Sequence, residues 1–481
     1  MNAPALEFQP WRGRDLSASA QTAAFIALLA VWALAMMLFA PIAIGTLALL
    51  GAALLLALAR LSYHNSHWRI FALLLIVETL PSANFLPMSG ADRPLLRYPL
   101  YLLFCVPMLP MVWRSRILSR GGFRLYSLYF VWAFLSVGWS LVPLFSFGRA
   151  LSSALLFAAL CSVALDVDDQ DALPRMIRWV LWACALLTAI IAVTAVIPGF
   201  AAAWFQDPEL GAYRLQGIFD SPNQVGEVNM ITIGAALACW HSLRTVSQKI
   251  GAAALIGVSG LMMAAADCRS AAVAMALGVA VLMVWRYRWR GLFGVSATVA
   301  IAVFVAGQLS PHALLYFIRG DVATLSGRTA VMRFSLNRVA QNPLLGYGFG
   351  AEGEIFRSRY FPSWDDLWTQ GPRIPIHNGY LSRAVGLGAP AALLWLFLFL
   401  RPFVALFTRR ADPCGLRKPV VMLLVLPVLI LYLSETLGGD CRYPAGIVIT
   451  LLWAVAEKER LRAIGARPAT AESAGRKHRN S

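Results

Sequence analysis

Four residues carry the chemistry open to this sequence: Arg214, Arg269, Arg328 and His377. Arginine is always charged and grips phosphate oxygens two at a time through its planar fork. Arg214 follows a Gly-Ala-Tyr turn. Arg269 sits in the tight turn Asp267-Cys268-Arg269-Ser270 between two apolar runs, and Arg328 opens a helical stretch. His377 stands in Pro375-Ile376-His377-Asn378-Gly379, where a polar loop gives way to an apolar run. A neutral imidazole there can take a proton from a hydroxyl near neutral pH. Each residue also has a plainer reading. An arginine at a membrane edge snorkels or pairs with a nearby acid such as Asp267, Asp220 or Asp321. A histidine at a helix entry can simply cap it. Three arginines and a histidine on one face, with no lysine among them, favour fixed recognition of a diphosphate beside a base.

The elements that must hold these residues are membrane helices. The chain has 481 residues, 59% hydrophobic and only 14% charged, with a mean hydropathy of +0.66. Soluble chains carry about 25% charged residues. Apolar runs long enough to cross a bilayer recur throughout. Spans in lipid must be helices, because every backbone group needs an internal partner. The sequence therefore predicts an all-α polytopic membrane protein of about 12–14 transmembrane helices. The expected division is a cytoplasmic N-terminal tail over 1–20 and helices over 21–308. A periplasmic catalytic loop follows over 309–375, then helices over 376–456 and a basic cytoplasmic tail over 457–481. Net charge is +17, but it is scattered through short interhelical loops, which excludes a nucleic-acid surface.

Orientation follows from the excess of Lys and Arg on one face. All four lysines (249, 418, 458 and 477) fall on the side of the termini, together with Arg114, Arg116, Arg120 and Arg124. Both termini are thus expected in the cytoplasm. The four candidate residues then share the periplasmic face of a bacterial inner membrane.

Within the long loop, Gly327 to Gln341 reads as an interfacial helix ended by Asn342-Pro343, with Ser326 as N-cap. Ala330, Val331, Phe334 and Val339 form its apolar side. Gly346-Tyr347-Gly348-Phe349-Gly350 follows a helix instead of a strand, so it reads as a flexible turn and not as a nucleotide loop. Asp365-Asp366 is the one acidic pair in the loop and reads as solvated; no metal site is assigned. The cysteines show no paired spacing. Cys268 and Cys441 share the outer face and could pair, although a free buried thiol is the plainer reading. Glu78 and Glu227 fall in or near spans and would be the polar residues of a transport path.

Several strings together resemble the bacterial O-antigen ligase and polysaccharide polymerase family. They are Thr324-Leu-Ser-Gly-Arg-Thr, Asn342-Pro-Leu-Leu-Gly-Tyr-Gly-Phe-Gly, His377-Asn-Gly-Tyr and Gly386-Leu-Gly, with Arg214-Leu-Gln-Gly-Ile-Phe-Asp-Ser-Pro-Asn and Arg269-Ser upstream. The motif resemblance covers about 205–390. Asp267-Cys268 departs from the small or hydroxyl residues usual before that arginine. The resemblance implies a GT-C-like membrane glycosyltransferase that needs no metal or other cofactor. Its donor is a glycan on undecaprenyl diphosphate, and its acceptor is lipid A-core for a ligase or a second lipid-linked glycan for a polymerase. The family's diphosphate-binding arginines carry over to Arg214 and Arg269, and its candidate base to His377. Arg328 matches the Gly-Arg motif and is assigned to substrate positioning. The competing class is a transporter or lipid-carrier flippase without bond chemistry, resting on Glu78 and Glu227. Charges confined to the outer mouth favour the enzyme.

Overall fold

The computed structural model describes residues 44–79, 97–166, 172–197, 200, 203–206, 213–291, 293, 294, 296, 328–352, 355, 378–408, 415–433 and 443–465. Among them the chain is almost entirely helical. In order, the helices are α1 (Ile44–His64), α2 (Ser66–Phe71, continued by a π turn, Ala72–Glu78), α3 (Arg97–Phe104), α4 (Leu109–Ser115), α5 (Gly121–Leu135) and α6 (Pro143–Asp166). Then come α7 (Ala172–Val196), α8 (Pro222–Cys239), α9 (Val246–Ala265), α10 (Arg269–Tyr287), α11 (Arg328–Gln341), α12 (Gly379–Leu387) and α13 (Ala389–Thr408). The last are α14 (Arg417–Val420), a π turn (Val421–Val425), α15 (Leu426–Leu431) and α16 (Tyr443–Gly465). A two-stranded antiparallel ribbon, β1 (Trp204–Gln206) and β2 (Tyr213–Leu215), pairs Phe205 with Arg214.

Five of the described helical segments are long and apolar enough to span a bilayer: Pro143–Asp166, Leu173–Val196, Val246–Ala265, Arg269–Tyr287 and Ala389–Thr408. An all-α polytopic membrane protein is therefore what the chain folds into. Helix α9 turns nearly all of its apolar surface outward, including Ile250 and Leu261. A lipid solvent permits this and water does not. Helix α8 is the opposite case. Its residues are buried almost all round, and it packs on α7, α9, α10 and α16.

Several expected spans are interrupted. The run over 95–113 is not one helix: it becomes α3, a 3-10 turn (Val106–Met108) and α4. Pro107 and Pro110 each lack the N–H that a continuous helix needs. The run over 418–436 contains the π turn ahead of Pro427. Hydropathy sees apolar length and is blind to such local changes of pitch.

An aromatic core ties α5, α6, α13 and α16 together. Tyr126 stacks on Phe157 at 4.7 Å and lies 4.9 Å from Trp453. Trp395 Nε1 donates to the Tyr126 hydroxyl at 3.0 Å, and Trp453 Nε1 to the Leu398 carbonyl at 3.0 Å. Both indole N–H groups are thus satisfied while buried, as aromatic polar handles generally are. This frame holds the middle of the bundle together.

Candidate functional site

Two of the four candidate residues converge on the same turn. Arg214 leaves β2 and reaches the turn between α9 and α10. Its Nε donates to the Ala266 carbonyl at 3.2 Å and its Nη2 to the Asp267 carbonyl at 3.3 Å. The same Nη2 donates to Asn223 Oδ1 at 3.4 Å, in the first turn of α8. A guanidinium has five N–H donors in a fixed plane, so this one residue ties the ribbon, the α9–α10 turn and α8 together.

Arg269 is the first residue of α10. Its Nε and Nη2 donate to the two carboxylate oxygens of Asp267 at 3.1 and 3.3 Å. The plainer expectation of pairing with Asp267 is thus met. The pair is partly open, with side chains 29% and 36% exposed. Asp267 takes a left-handed backbone, φ 46°, which turns the chain sharply enough to put both groups at the mouth. Carboxylate and phosphate present similar paired oxygens to an arginine fork. Asp267 therefore engages the Nε–Nη2 edge of Arg269 with the paired oxygens that such a fork suits.

The backbone adds to the anion preference. Ser221 caps α8 by accepting from the Asn223 N–H, with Pro222 in the first turn. The N-cap of α10 is Cys268, which makes no side-chain cap. The first N–H groups of a helix have no intrahelical partner and carry partial positive charge. The two helix starts adjoin, since Cys268 Sγ lies 3.9 Å from the Asn223 carbonyl oxygen. A Cβ at Gly226 would run into Cys268 Sγ, so only glycine lets α8 come this close to the turn. Cys268 is buried; Cys441 lies outside the described residues. Two arginines and two helix N-termini thus lie around one turn, an arrangement whose partial charges favour an anion.

A second polar group lies at the same end. Arg149, in the first turns of α6, donates through Nη1 to the Gly350 carbonyl at 3.1 Å and to Glu352 at 3.4 Å. Ser382 of α12 donates to the same Glu352 oxygen at 2.8 Å. Tyr443, at the start of α16, is acted on electrostatically by Arg97, Asp220, Arg149 and Glu227. Glu227 is buried, five residues past Pro222 in α8. The side chain of Glu78 lies outside the described residues.

The Gly346–Gly350 segment is not the flexible turn expected from its composition. Its backbone is fixed by Tyr347 N–H to the Val385 carbonyl and by Gly348 N–H to the Gly386 carbonyl, both at 2.9 Å. The Leu141 N–H donates to the Tyr347 carbonyl, and the Phe349 N–H to the Ser136 hydroxyl. Gly346, Gly348 and Gly350 all have positive φ, and a Cβ at Gly348 would strike Ser140. The glycines serve tight docking, not freedom.

Arg328 begins α11, and its side chain lies outside the described residues. Asn342 ends that helix as expected, its N–H donating to the Arg338 carbonyl. Val331, Phe334 and Val339 pack with Ile355, Val385, Leu381 and Tyr347, so protein covers the helix's apolar side. His377 and Asp365-Asp366 lie outside the described residues. Asn378 caps α12 by accepting from the Leu381 N–H at 2.9 Å, and it donates to the Leu433 carbonyl at 3.1 Å. The chain just after His377 is thereby tied to both α12 and the end of α15.

Sequence reasoning missed Arg149, Glu352, Ser382 and Arg383. Arg383 is buried, donates to the Tyr129 hydroxyl at 2.8 Å and lies over Phe349 and Trp395. A signal existed for it, since an arginine inside an apolar run marks a site by default.

Residues 252–396 match the family model described as O-Antigen ligase. That stretch contains Arg269, Arg328 and His377 and stops short of Arg214. The chain is also 24% identical over 416 residues to "Exopolysaccharide production protein ExoQ" of Rhizobium meliloti (strain 1021), covering 82% of this chain and 88% of that protein. The resemblance drawn from the motifs is borne out. A multi-pass membrane protein with a polysaccharide-related, glycosyltransferase-like role follows from these matches.

Proposed function

We propose that this chain is an inverting, metal-independent glycosyltransferase. It would move a glycan from undecaprenyl diphosphate to an acceptor hydroxyl at the periplasmic face. The observation that carries the reading is the convergence of Arg214 and Arg269 on Asp267, at the start of α10, which has no side-chain cap. Such a cradle stabilises charge that grows on a leaving diphosphate, a gain made in the transition state. The acceptor oxygen attacks the anomeric carbon from the face opposite the diphosphate. The bond to the diphosphate oxygen breaks, and the hydroxyl proton passes to His377. Independence of metal is what the family resemblance implies. Arg328, at the head of α11, positions donor or acceptor.

Arg214 and Arg269, gathered at one helix-end turn, support the enzyme over a transport path. The relative's printed role in exopolysaccharide production supports a repeat-unit polymerase over an O-antigen ligase. The test is an in-vitro reaction of the purified chain with an undecaprenyl-diphosphate glycan, offered either lipid A-core or a second donor molecule. Longer lipid-linked glycan identifies a polymerase, and glycosylated core a ligase. No new glycosidic bond with either acceptor refutes the reading.

A further inference from the structure

Glu352 is a buried carboxylate with no part in the Arg214–Arg269 cradle. It is 6% exposed and lies where α6, the glycine turn and α12 meet. One of its oxygens, Oε1, is doubly held. Arg149 Nη1 donates to it at 3.4 Å, and the Ser382 hydroxyl donates to it at 2.8 Å. The other oxygen, Oε2, is shielded from solvent, and among the described residues no donor reaches it. Buried carboxylate oxygens are ordinarily hydrogen-bonded, because a bare one has lost its water and gained nothing in return. The neighbouring Gly386, whose Cβ would stand 3.7 Å from Oε2, brings no side chain to donate.

We propose that Glu352 Oε2 accepts a hydroxyl of the lipid-linked glycan, which makes Glu352 and Arg149 a sugar-recognition subsite. The assignment rests on the glycosyltransferase reading above. The chemistry of the pair selects the ligand. A bare anion is repelled by the carboxylate, and a bare cation by the guanidinium. A sugar hydroxyl is uncharged and is donor and acceptor at once, so it suits a carboxylate and a guanidinium side by side. Its bond to a carboxylate is charge-assisted, and the dry setting strengthens it further. The Arg149 side chain stays 17% exposed, so the cluster is open on that side.

The place in the fold agrees. Ser382 lies four residues beyond Asn378, the N-cap of α12, or about 6 Å along the helix at about 1.5 Å per residue. Glu352 thus flanks the helix start that follows the proposed base in sequence.

The test reads binding and not turnover. The purified full-length chain in neutral detergent is titrated with three probes. One is undecaprenyl diphosphate without sugar, and the others are undecaprenyl diphosphate linked to glucose or to galactose. The wild type should bind at least one sugar-bearing probe more tightly than the bare carrier. Glu352→Gln keeps the shape, and Arg149 and Ser382 hold the amide oxygen on their side, so an NH2 group replaces the accepting Oε2. That variant should bind the sugar-bearing probe about tenfold more weakly, with its affinity for the bare carrier and its ligand-free Tm kept. Ser382→Ala leaves the Arg149 contact in place and should weaken the same probe about threefold. It decides the matter if Glu352→Gln does not fold. Equal affinity of the wild type for all three probes overturns the proposal. So does a sugar preference that survives both substitutions, or a loss shared equally by the bare carrier, since Glu352 would then only brace α12 against α6. Arg269→Lys should weaken all three probes alike, so a failure of the diphosphate reading shows separately from a failure of the sugar subsite.

Discussion

Arg269→Lys separates a diphosphate grip from a packing role. The substitution keeps the charge and removes the fork. In the structure that fork spends two nitrogens on Asp267, at 3.1 and 3.3 Å. The pair is about a third exposed, so its worth to folding is at most about 1 kcal/mol. The variant should therefore insert normally and lose little Tm. On a diphosphate leaving group the fork counts for more, because charge grows there during reaction. Removing one such donor costs about 2.7–4 kcal/mol, or a hundred- to a thousandfold in rate. The partial exposure of Arg269 argues for the lower end, about a hundredfold. Turnover of a lipid-linked glycan by the purified variant, beside its Tm, is the assay. Near-native turnover would show that Arg269 only closes the α9–α10 turn against Asp267, and the diphosphate argument would fail.

Asp267→Asn removes the carboxylate that competes for the same fork, so donor binding should tighten by up to about fivefold; unchanged or weaker binding would mean that Asp267 orients Arg269 instead. His377→Gln should drop turnover by about a hundred- to ten-thousandfold while donor binding survives, because an amide cannot take the proton. A near-wild-type rate for that variant would send the search for the base elsewhere. Gly348→Ala should lower Tm and turnover together, since its φ of 104° and the neighbouring Ser140 leave no place for a methyl group. A cysteine placed near Ser363 should label from the periplasm only, and labelling from the cytoplasm would invert the whole assignment.

The membrane character, the pairing of Arg269 with Asp267 and the end of α11 were legible because each rests on local information. Apolar length marks spans, a tight Asp267–Arg269 turn must lie at a helix end, and Asn342-Pro343 stops a helix. The Arg149–Glu352–Ser382 contact was not legible. Its members lie far apart in sequence and meet only through the packing of α6, α12 and the glycine turn. The glycine turn itself misled, because glycine that permits docking and glycine that permits motion have the same composition. The breaks at Pro107 and Pro110 and the π turn at Val421–Val425 were hidden for a related reason, since an apolar run of membrane length need not be one helix. The bracing of the α9–α10 turn by Arg214 needed the geometry of Ala266 and Asp267.

The most direct measurement counts undecaprenyl diphosphate released per glycosidic bond formed, in sealed proteoliposomes with a chelator present. Metal-independent transfer from a diphosphate donor predicts one carrier released for each bond. Donor that crosses the bilayer intact, with no carrier released and no bond made, would contradict the account and establish transport in its place.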